Sequence, residues 1–376
     1  MEHYLDNAAT TAVCPEAAEA AMKAMTLLYG NPSSTHAKGR EAAKLLSSSR
    51  AAVAEALGCA AEELVFTSCG SESDNWALLG GAEAAKRTGR HIVSSLVEHD
   101  AVRKSLELLE AQGWEVTRLK PGQDGAVRVG DVEAALREDT ALVSLMMVNN
   151  ETGGVTDIAG VARMLRESGS RALLHTDAVQ AFMKLPFSAK TLGADLISVS
   201  GHKIHAPKGV GALYIRSGLR LRPFIVGGSQ EGGRRAGTEA VPQIAAFGAA
   251  ARVAKAGMAE NTARMAALKA GALDRLRAEI PELQWIDAAA PHILSVSLPG
   301  WRSEVLMNFL EAREIYVSKS SACKKGGRSH VLEAMGLSPR VIDGALRISL
   351  SRYTTADDVD ALCRALKEAR DTLAHR

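Results

Sequence analysis

One lysine follows an apolar stretch that has the pattern of a buried strand. The chain reads Asp-Leu-Ile-Ser-Val-Ser from Asp195 to Ser200, and Gly-His-Lys203 comes next. On its own, such a lysine is usually a surface residue that caps a strand. A lysine amine that is desolvated or placed near other cations loses its proton easily, and the neutral amine can then form a Schiff base. Lys203 is therefore a candidate for covalent chemistry if its surroundings provide such a site.

An acid and an amide upstream indicate what Lys203 would bind. The segment from Leu173 to Gln180 reads Leu-Leu-His-Thr-Asp-Ala-Val-Gln, so a short apolar strand ends at Asp177. Pyridoxal phosphate (PLP) needs an anionic partner for its pyridinium nitrogen, and open α/β sheets bind ligands at the carboxyl ends of their strands. Alone, Asp177 would more commonly be a helix N-cap. Together with Lys203 it predicts a PLP site, in which Gln180 could hydrogen-bond the phenolic oxygen of the ring.

Small residues between a strand and a helix form a candidate phosphate site. The stretch Thr67 to Ser73 reads Thr-Ser-Cys-Gly-Ser-Glu-Ser, and Gly70 and Ser71 would present backbone N–H groups at the start of the helix. Helix N-termini bind phosphate through such groups. An ordinary N-cap turn explains the same residues equally well, so this motif supports a cofactor only together with the lysine and the acid.

Polar residues also follow two other strands at the expected sheet edge. His99, in Val-Glu-His-Asp, could stack on a planar cofactor or relay protons, and a surface-loop histidine is the alternative. Asn150, in Asn-Asn-Glu-Thr-Gly-Gly, could hold a substrate carboxylate or the ring oxygen, or could form only a polar turn.

Three motifs in the second half of the chain carry cations. The glycine-rich loop from Gly227 to Glu239 holds two arginines and Thr238, which favours an anion site over a flexible linker. Cys323 lies in Ser-Ser-Ala-Cys-Lys-Lys, where adjacent cations favour the reactive thiolate, although a lone cysteine is usually inert. Arg347 lies inside an apolar strand and needs a partner, which could be a substrate carboxylate or the acid of a structural ion pair.

The composition is that of a globular protein with about two domains. The chain has 376 residues, and 45 lysines and arginines nearly balance 43 aspartates and glutamates, which gives no argument for nucleic acid. No apolar run is long enough to cross a bilayer, and the N-terminus lacks the basic and apolar regions of a signal peptide. Five scattered cysteines without a CxxC pair argue against disulfides and structural zinc, so we expect a reducing cytoplasm.

Helical and strand-like patterns alternate along the chain. Strands are predicted at 63–67, 91–95, 140–148, 173–176, 196–199, 211–215, 292–298 and 345–349. Helices are predicted at 16–28, 40–57, 73–88, 100–112, 158–168, 303–312 and 355–373, and 239–280 is alanine-rich and mostly helical. This alternation predicts an α/β fold with a mostly parallel sheet. We expect a large cofactor domain at 15–255 and a smaller α+β domain at 256–376, with residues 1–14 packed against the small domain.

In this order the motifs resemble those of the cysteine desulfurases, in the class V aminotransferase group of fold-type I PLP enzymes. The resemblance covers nearly the whole chain. Its motifs are Leu5-Asp-Asn-Ala-Ala-Thr-Thr, Tyr29-Gly-Asn-Pro-Ser-Ser, Glu98-His, Asn149-Asn-Glu-Thr-Gly, His175-Thr-Asp-Ala-Val-Gln, Ser200-Gly-His-Lys, Arg235-Ala-Gly-Thr, Ser321-Ala-Cys and Arg347-Ile-Ser-Leu. Ser321-Ala-Cys is the motif that indicates desulfuration within this superfamily.

The resemblance implies a role for each matched residue. Lys203 would bind PLP and move the Cα proton of the substrate, Cys323 would be the nucleophile, and His99 would stack on the ring as a further catalytic candidate. The implied cofactor contacts are Gly70, Ser71, His99, Asn150, Asp177, Gln180, Ser200, His202, Lys203 and Thr238. Thr238 would reach the phosphate of the neighbouring subunit in a homodimer. The implied substrate contacts are Asn31, Asn150 and Arg347, with Arg347 on the carboxylate.

The implied reaction takes sulfur from L-cysteine, releases L-alanine and leaves a persulfide on Cys323. An acceptor protein would receive this sulfur for iron–sulfur cluster assembly or another thiolation pathway. No stable metal site is expected, although Cys323 could be a transient ligand of an iron–sulfur cluster. The chain departs from the family in its phosphate turn, Ser-Cys-Gly-Ser instead of Ser-Gly-Ala-Thr, and in a shorter, more basic loop after Cys323. The shorter loop leaves the sulfur acceptor open.

Two other functions remain open at this point. Selenocysteine lysis or transamination of a small amino acid would use the same core motifs, and Cys323 discriminates because transamination needs no thiol. A non-catalytic scaffold would bind PLP and dock sulfur acceptors without releasing alanine from cysteine. No nucleic-acid or membrane partner is expected.

Overall fold

The computed structural model describes residues 2–320 and 327–374. Its helices are α1 Pro15–Thr26, α2 Ala37–Leu57, α3 Gly70–Ala85, α4 Asp100–Ala111, α5 Val129–Ala135, α6 Ile158–Glu167, α7 Ala189–Leu192, α8 Val241–Ala256, α9 Met258–Glu279, α10 Ser303–Glu311, α11 His330–Ala334, α12 Pro339–Asp343 and α13 Ala356–Thr372. Its strands are β1 His3–Tyr4, β2 Leu64–Thr67, β3 His91–Ser95, β4 Glu115–Leu119, β5 Thr140–Ser144, β6 Leu173–Asp177, β7 Leu196–Ser200, β8 Gly211–Ile215, β9 Gln284–Trp285, β10 Ile293–Ser297, β11 Ile315–Tyr316, β12 Ser318–Lys319 and β13 Ala345–Ser349. Within these residues, no helix combines the length and the apolar character that crossing a membrane requires.

Seven strands form the central sheet, in the order β2-β8-β7-β6-β5-β3-β4. Neighbouring strands run parallel from β7 to β4, and β8 runs antiparallel to both of its neighbours. Parallel neighbours need crossover connections, which the helices between them in the chain provide. The predicted α/β class with a mostly parallel sheet is confirmed.

Helices cover both faces of the central sheet. Val93 and Val143 pack in one cluster with apolar side chains of α2, α6 and α8, whereas their neighbours Ile92 and Leu142 pack with α3 and α4. Successive side chains of a strand point to opposite faces. Because both faces are buried, these strands have apolar residues at consecutive positions instead of an alternating pattern.

A second sheet, with four antiparallel strands in the order β12-β13-β10-β9, lies in the C-terminal part of the chain. Its apolar side chains form a separate cluster with those of α9, α10 and α13, and Leu5 belongs to that cluster. The N-terminal segment packs against the same region, since β1 pairs with β11 and Asp6 forms a β-bridge with Ser349. The division into domains at 15–255 and 256–376 stays a prediction.

Two element boundaries differ from the sequence prediction in ways that affect the site. The strand predicted at 140–148 ends at Ser144, and the N–H of Met146 donates to the Glu98 carboxylate at 3.1 Å. Helix α3 begins at Gly70 instead of residue 73. The phosphate turn predicted from the sequence is therefore the first turn of the helix, which places its N–H groups at the sheet edge.

One buried ion pair connects the glycine-rich loop to the sheet, and it gives a test of the fold. Glu231 is 7% exposed and accepts hydrogen bonds from Arg50 Nη1 at 2.8 Å, Arg50 Nη2 at 2.5 Å and the N–H of Phe66 at 2.9 Å. We expect Glu231→Gln to lower the free energy of unfolding by about 2 kcal/mol, because charge-assisted hydrogen bonds are lost while the guanidinium stays largely buried. Urea denaturation measures this change.

The matched control is the exposed ion pair between Glu55 and Lys255, whose atoms lie 2.8 Å apart. Solvent-exposed pairs contribute little to stability, so Glu55→Gln should leave the urea midpoint nearly unchanged. Equal effects of the two substitutions would show that Glu231 does not stabilise the loop.

Candidate functional site

A cavity of about 330 Å³ lies at the carboxyl edge of the central sheet. Its lining contains ten of the residues predicted from the sequence: Gly70, Ser71, His99, Asn150, Asp177, Gln180, Ser200, His202, Lys203 and Arg347. Most of them come from the turns that follow β2, β3, β5, β6 and β7, or from the last residue of those strands. These five strands run in the same direction, so their carboxyl ends meet at one edge, where α/β sheets bind ligands.

Lys203 lies in a short 3-10 turn, Gly201–Lys203, directly after β7. Its Nζ donates to the carbonyl oxygen of Ala8 at 2.5 Å and to that of Ala9 at 2.7 Å. The N-terminal segment therefore reaches the cavity from the side of the small sheet and supplies two acceptors for the lysine. The sequence patterns did not predict this contact, because Ala8 and Lys203 are far apart in the chain.

Asp177, at the end of β6, is one of three buried acids beneath the cavity. Burial raises the pKa of Asp177 and of its neighbour Asp74, and for Asp74 the shift is the larger one. Burial also raises the pKa of Glu98 to about 8. The ionised form of Asp177 is favoured by His99, by the N–H of Val179 at 2.9 Å, and by Lys203. These contacts oppose the effect of burial on the pKa of Asp177.

A buried, neutral histidine, His175, lies next to Asp74. His175 is fully buried, and burial lowers its pKa to about 3, so the ring is uncharged at neutral pH. Its Nε2 lies 3.0 Å from the Ser198 hydroxyl and 3.6 Å from the Asp74 carboxylate. The neutral His175 therefore supplies no positive charge that would offset the effect of burial on the pKa of Asp74.

The start of α3 and the end of β7 form one wall of the cavity with donor groups. An added Cβ at Gly70 would lie 2.8 Å from Cγ2 of Val179, so a larger residue here would require the Val179 side chain to shift. The Ser200 hydroxyl is buried, and in the described part of the chain it has no hydrogen-bond partner. A buried hydroxyl without a partner costs free energy, which a bound oxyanion would recover.

His202 lies beside this wall and is also a neutral group. Burial lowers its pKa to about 3, and the cations Lys203, Lys208 and Lys184 act in the same direction. Its Nδ1 lies 3.2 Å from the Thr10 hydroxyl. His202 would therefore contact a ligand by hydrogen bonding and not as a cation.

His99 is the N-cap of α4, and its position is fixed by the backbone. Its Nδ1 accepts a hydrogen bond from the N–H of Ala101 at 3.1 Å, so in the neutral ring Nε2 carries the proton. The ring lines the cavity and comes from the turn that follows β3. This geometry supports a ring that contacts a planar ligand and offers a proton at Nε2.

Arg347, in β13, brings a buried guanidinium from the small sheet to the cavity. It is 2% exposed, donates from Nη2 to Asp6 at 2.8 Å, and donates from Nη1 to the carbonyl oxygen of Asn150 at 3.0 Å. Its Nε has no partner among the described residues. A substrate carboxylate could bind at Nε and Nη2 if it competed with Asp6 for Nη2.

Two predicted site residues that the structure describes are not in this cavity. Asn31 and Thr238 are exposed and do not line it. Arg235, in the same loop as Thr238, is bound to Glu72 at 2.9 Å. Cys323 lies outside the described residues. In the part of the chain that is described, no three His, Cys, Asp or Glu side chains are grouped so that they could hold a metal ion.

Several residues of the site were not found from the sequence. Asp74 lies one helical turn after Ser71, so its spacing from the phosphate turn could have indicated it. Asp6 belongs to the Leu5-Asp motif of the family resemblance, but the resemblance implied no role for this aspartate. The Ala8 and Ala9 carbonyls carry no side-chain signal, and only the folded chain places them at Lys203.

Comparisons with known proteins agree with this geometry. Residues 3–362 match the family described as aminotransferase class-V. The chain is 41% identical over 375 residues to a cysteine desulfurase of Nostoc sp., over 98% of this chain and 93% of that protein. A cysteine desulfurase IscS of Methanosarcina thermophila is 40% identical over 97% of this chain and 91% of its own length. A solved NifS-like protein superposes with a TM-score of 0.93 at 37% identity, over 99% of this chain and 100% of that one. The predicted resemblance and the fold-type I architecture are confirmed.

Proposed function

Because this chain belongs to the class-V aminotransferase family, we propose that it is a PLP-dependent cysteine desulfurase. The reaction would take sulfur from L-cysteine, release L-alanine and leave a persulfide on Cys323. One observation carries the proposal: a single cavity brings together the Lys203 amine, the buried Asp177 carboxylate and the buried Arg347 guanidinium. Relatives that are named cysteine desulfurases over nearly the full chain support the choice of substrate.

The residues present fit PLP. Asp177 would pair with the pyridinium nitrogen, and Gln180 would donate to the ring oxygen. The unpartnered Ser200 hydroxyl and the backbone N–H groups of Gly70 and Ser71 would provide donors for the phosphate. When bound, PLP would supply an electron sink that stabilises negative charge at the Cα of an amino acid.

Arg347 would bind the substrate, and Lys203 would carry out the proton transfer. Arg347 would bind the carboxylate and so orient the Cα–H bond, with the Asn150 side chain as a second contact at the same side of the cavity. Lys203 would hold the cofactor and, once its amine is released, accept the Cα proton. His99, with its proton on Nε2, would contact the ring and could return a proton.

Cys323 would take the sulfur atom. Its thiolate would attack the substrate Sγ, the Cβ–Sγ bond would break, and the bonding electron pair would stay on the carbon side until protonation gives alanine. The lysines that follow Cys323 in the sequence favour the thiolate form. The product on the enzyme would be a persulfide, which an acceptor protein then removes.

We also propose a homodimer, in which Thr238 of each subunit contributes to the phosphate site of the other. Thr238 is exposed and outside the cavity of its own chain, which suits such a role. Apolar side chains that are exposed in the single chain could be covered in the dimer; they are Met22, Met25, Leu27, Tyr29, Phe224, Ile225 and Val226.

We further propose that an iron–sulfur scaffold or a thiolation protein accepts the sulfur, and that the protein works in the cytoplasm. The free thiols of the described cysteines suit a reducing environment.

Three substrates separate the proposal from its alternatives. Protein loaded with PLP should convert L-cysteine, in the presence of a reductant, to equal amounts of alanine and sulfide. Transamination would instead require a keto acid, and selenocysteine lysis would persist in a Cys323→Ala variant. Bound PLP without alanine release from cysteine would overturn the proposal and favour a non-catalytic scaffold.

A conservative change at Arg347 tests its contact with the substrate. Arg347→Lys keeps the charge but loses the two-point geometry, so we expect the KM for cysteine to rise about 30-fold with a smaller change in kcat. Steady-state kinetics of alanine release measures both. Arg118→Lys, at a partly exposed ion pair with Glu110, is the matched control and should change neither constant. An unchanged KM with a lower kcat would contradict a carboxylate contact.

A further inference from the structure

A buried lysine behind the cavity is not used by the mechanism. Lys184 is 6% exposed and lines, together with Lys203, a small cavity of about 30 Å³. The other residues that line it are apolar, among them Ile204 and Met265, or polar, among them Asn261 and Arg352. Removing an ammonium group from water costs several kcal/mol unless a partner compensates it. In the described part of the chain, the charged groups that act on Lys184 are two cations, Lys203 and Arg347.

The side chain of Lys184 points its polar end at the cofactor site. Its Nζ donates to Gln180 Oε1 at 3.3 Å, and Gln180 Nε2 in turn donates to the Ala8 carbonyl oxygen at 2.9 Å. Lys203 Nζ donates to that same oxygen at 2.5 Å. A continuous chain of hydrogen bonds therefore connects Lys184, through Gln180 and the N-terminal segment, to Lys203.

A protonated lysine can only donate hydrogen bonds, and this determines the orientation of the Gln180 amide while Lys184 carries its charge. With Oε1 held by Lys184, the NH2 group must face the Ala8 carbonyl and the cavity. The NH2 group has two N–H donors, so it can donate to a ligand acceptor in the cavity while its bond to Ala8 and the contact with Lys184 persist. Burial, assisted by Lys203 and Arg347, lowers the pKa of Lys184 to about 7. The neutral amine keeps N–H groups that can donate to Oε1 but also gains an acceptor lone pair, so the protonated form is the one that fixes the amide orientation.

We propose that Lys184 is a positioning residue, which holds the Gln180 amide so that its NH2 group serves as the donor to the ring oxygen of PLP. A methionine of similar length would pack among the apolar neighbours without the cost of desolvation. Keeping a lysine there lowers stability in exchange for an oriented amide, a trade that is expected beside a functional site. The inference rests on the proposed cofactor site.

A double-mutant cycle on PLP affinity tests the role. Apo-protein is titrated with PLP, and the absorbance of the bound cofactor is followed for wild type, Lys184→Met, Gln180→Leu and the double variant. We expect each single substitution to weaken PLP binding about tenfold. Each would remove the hydrogen bond to the ring oxygen, either directly at Gln180 or by releasing the orientation of its amide. In the Gln180→Leu background, Lys184→Met should weaken binding by less than about twofold, because it acts through the amide that is already absent.

A second lysine provides the matched control. Lys269 is half-buried, burial lowers its pKa to about 8, and its Nζ donates to the carbonyl oxygens of Ala288 and Ala290. It does not line the cofactor cavity. Lys269→Met should lower the melting temperature and leave both the PLP affinity and the absorption spectrum unchanged. Lys184→Met should change the spectrum, since the ring oxygen loses an oriented donor.

The possible outcomes are distinct. Equal weakening by Lys184→Met in both backgrounds, or the same loss from Lys269→Met, would overturn the positioning role. An unaltered PLP affinity in Lys184→Met would also overturn the positioning role. The proposed function would stand in that case, because the wild-type protein still binds PLP. Failure of the wild type to bind PLP would overturn both. If Lys184→Met does not fold, Lys184→Gln, whose shorter side chain stops short of Gln180, replaces it in the same cycle.

Discussion

Replacing Lys203 with alanine is expected to lower alanine release from L-cysteine by about 10³-fold or more. Lys203 is the amine that lines the cavity together with Asp177 and Arg347, and its Nζ is held by the Ala8 and Ala9 carbonyls. Its removal takes away both the covalent attachment of the cofactor and the base for the Cα proton. The visible absorption of the bound cofactor should change as well, because free and lysine-bound PLP absorb differently.

The control for this prediction is an exposed lysine in the same loop. Lys208 lies five positions after Lys203, outside the cavity, and Lys208→Ala should keep wild-type kinetics. Melting temperatures of both variants with bound PLP show whether each is folded. A folded Lys203→Ala variant that stays within tenfold of wild type would mean that another group removes the proton.

Replacing Cys323 with alanine is expected to slow sulfide release by at least about 10²-fold in the presence of a reductant. A thiol from solution would have to replace a nucleophile that the protein holds next to the substrate, and it would lose the high effective concentration. PLP affinity and spectrum should stay as in wild type, because the described residues that line the cavity already include the amine, the acid and the phosphate donors proposed for PLP. The variant therefore separates sulfur transfer from cofactor binding.

Two other cysteines serve as controls for Cys323. Burial raises the pKa of Cys59 to about 12 and that of Cys363 to about 11, so both remain as unreactive thiols at neutral pH. Cys59→Ala and Cys363→Ala should retain wild-type rates. Full activity of Cys323→Ala toward cysteine would contradict the persulfide route and favour selenocysteine lysis or another class-V reaction.

Much of the central sheet could be predicted from the sequence. The bounds of β3, β8 and β13 match the predicted ranges, and β6 and β7 differ by one residue. These strands are apolar, short and bounded by polar residues, so their pattern is strong. β4 was not predicted: its residues Glu115–Leu119 lie at the sheet edge, are exposed or partly exposed, and include Glu, Thr and Arg. An edge strand that is partly open to solvent lacks the continuous apolar run of its buried neighbours.

The residues that line the site were easier to predict than the contacts that orient them or shift their pKa. Asp177, Ser200 and Lys203 follow strand ends, and the sheet geometry alone brings such residues together. Asp74 and Asp6 act through contacts that depend on packing between distant segments. The bond from Arg347 to Asp6 joins residues 341 positions apart, and no local pattern encodes it.

The most direct test of the account is the mass of the peptide that contains Cys323 after L-cysteine is added to the PLP-loaded protein without reductant. Wild type should carry one additional sulfur atom on Cys323, with none on Cys59 or Cys363, and the amount should match the alanine released in the first turnover. Lys203→Ala should show no added sulfur under the same conditions. Alanine release from wild type with an unmodified Cys323, or sulfur on Cys323 in the Lys203→Ala variant, would contradict the claim that Lys203 activates cysteine for transfer of its sulfur to Cys323.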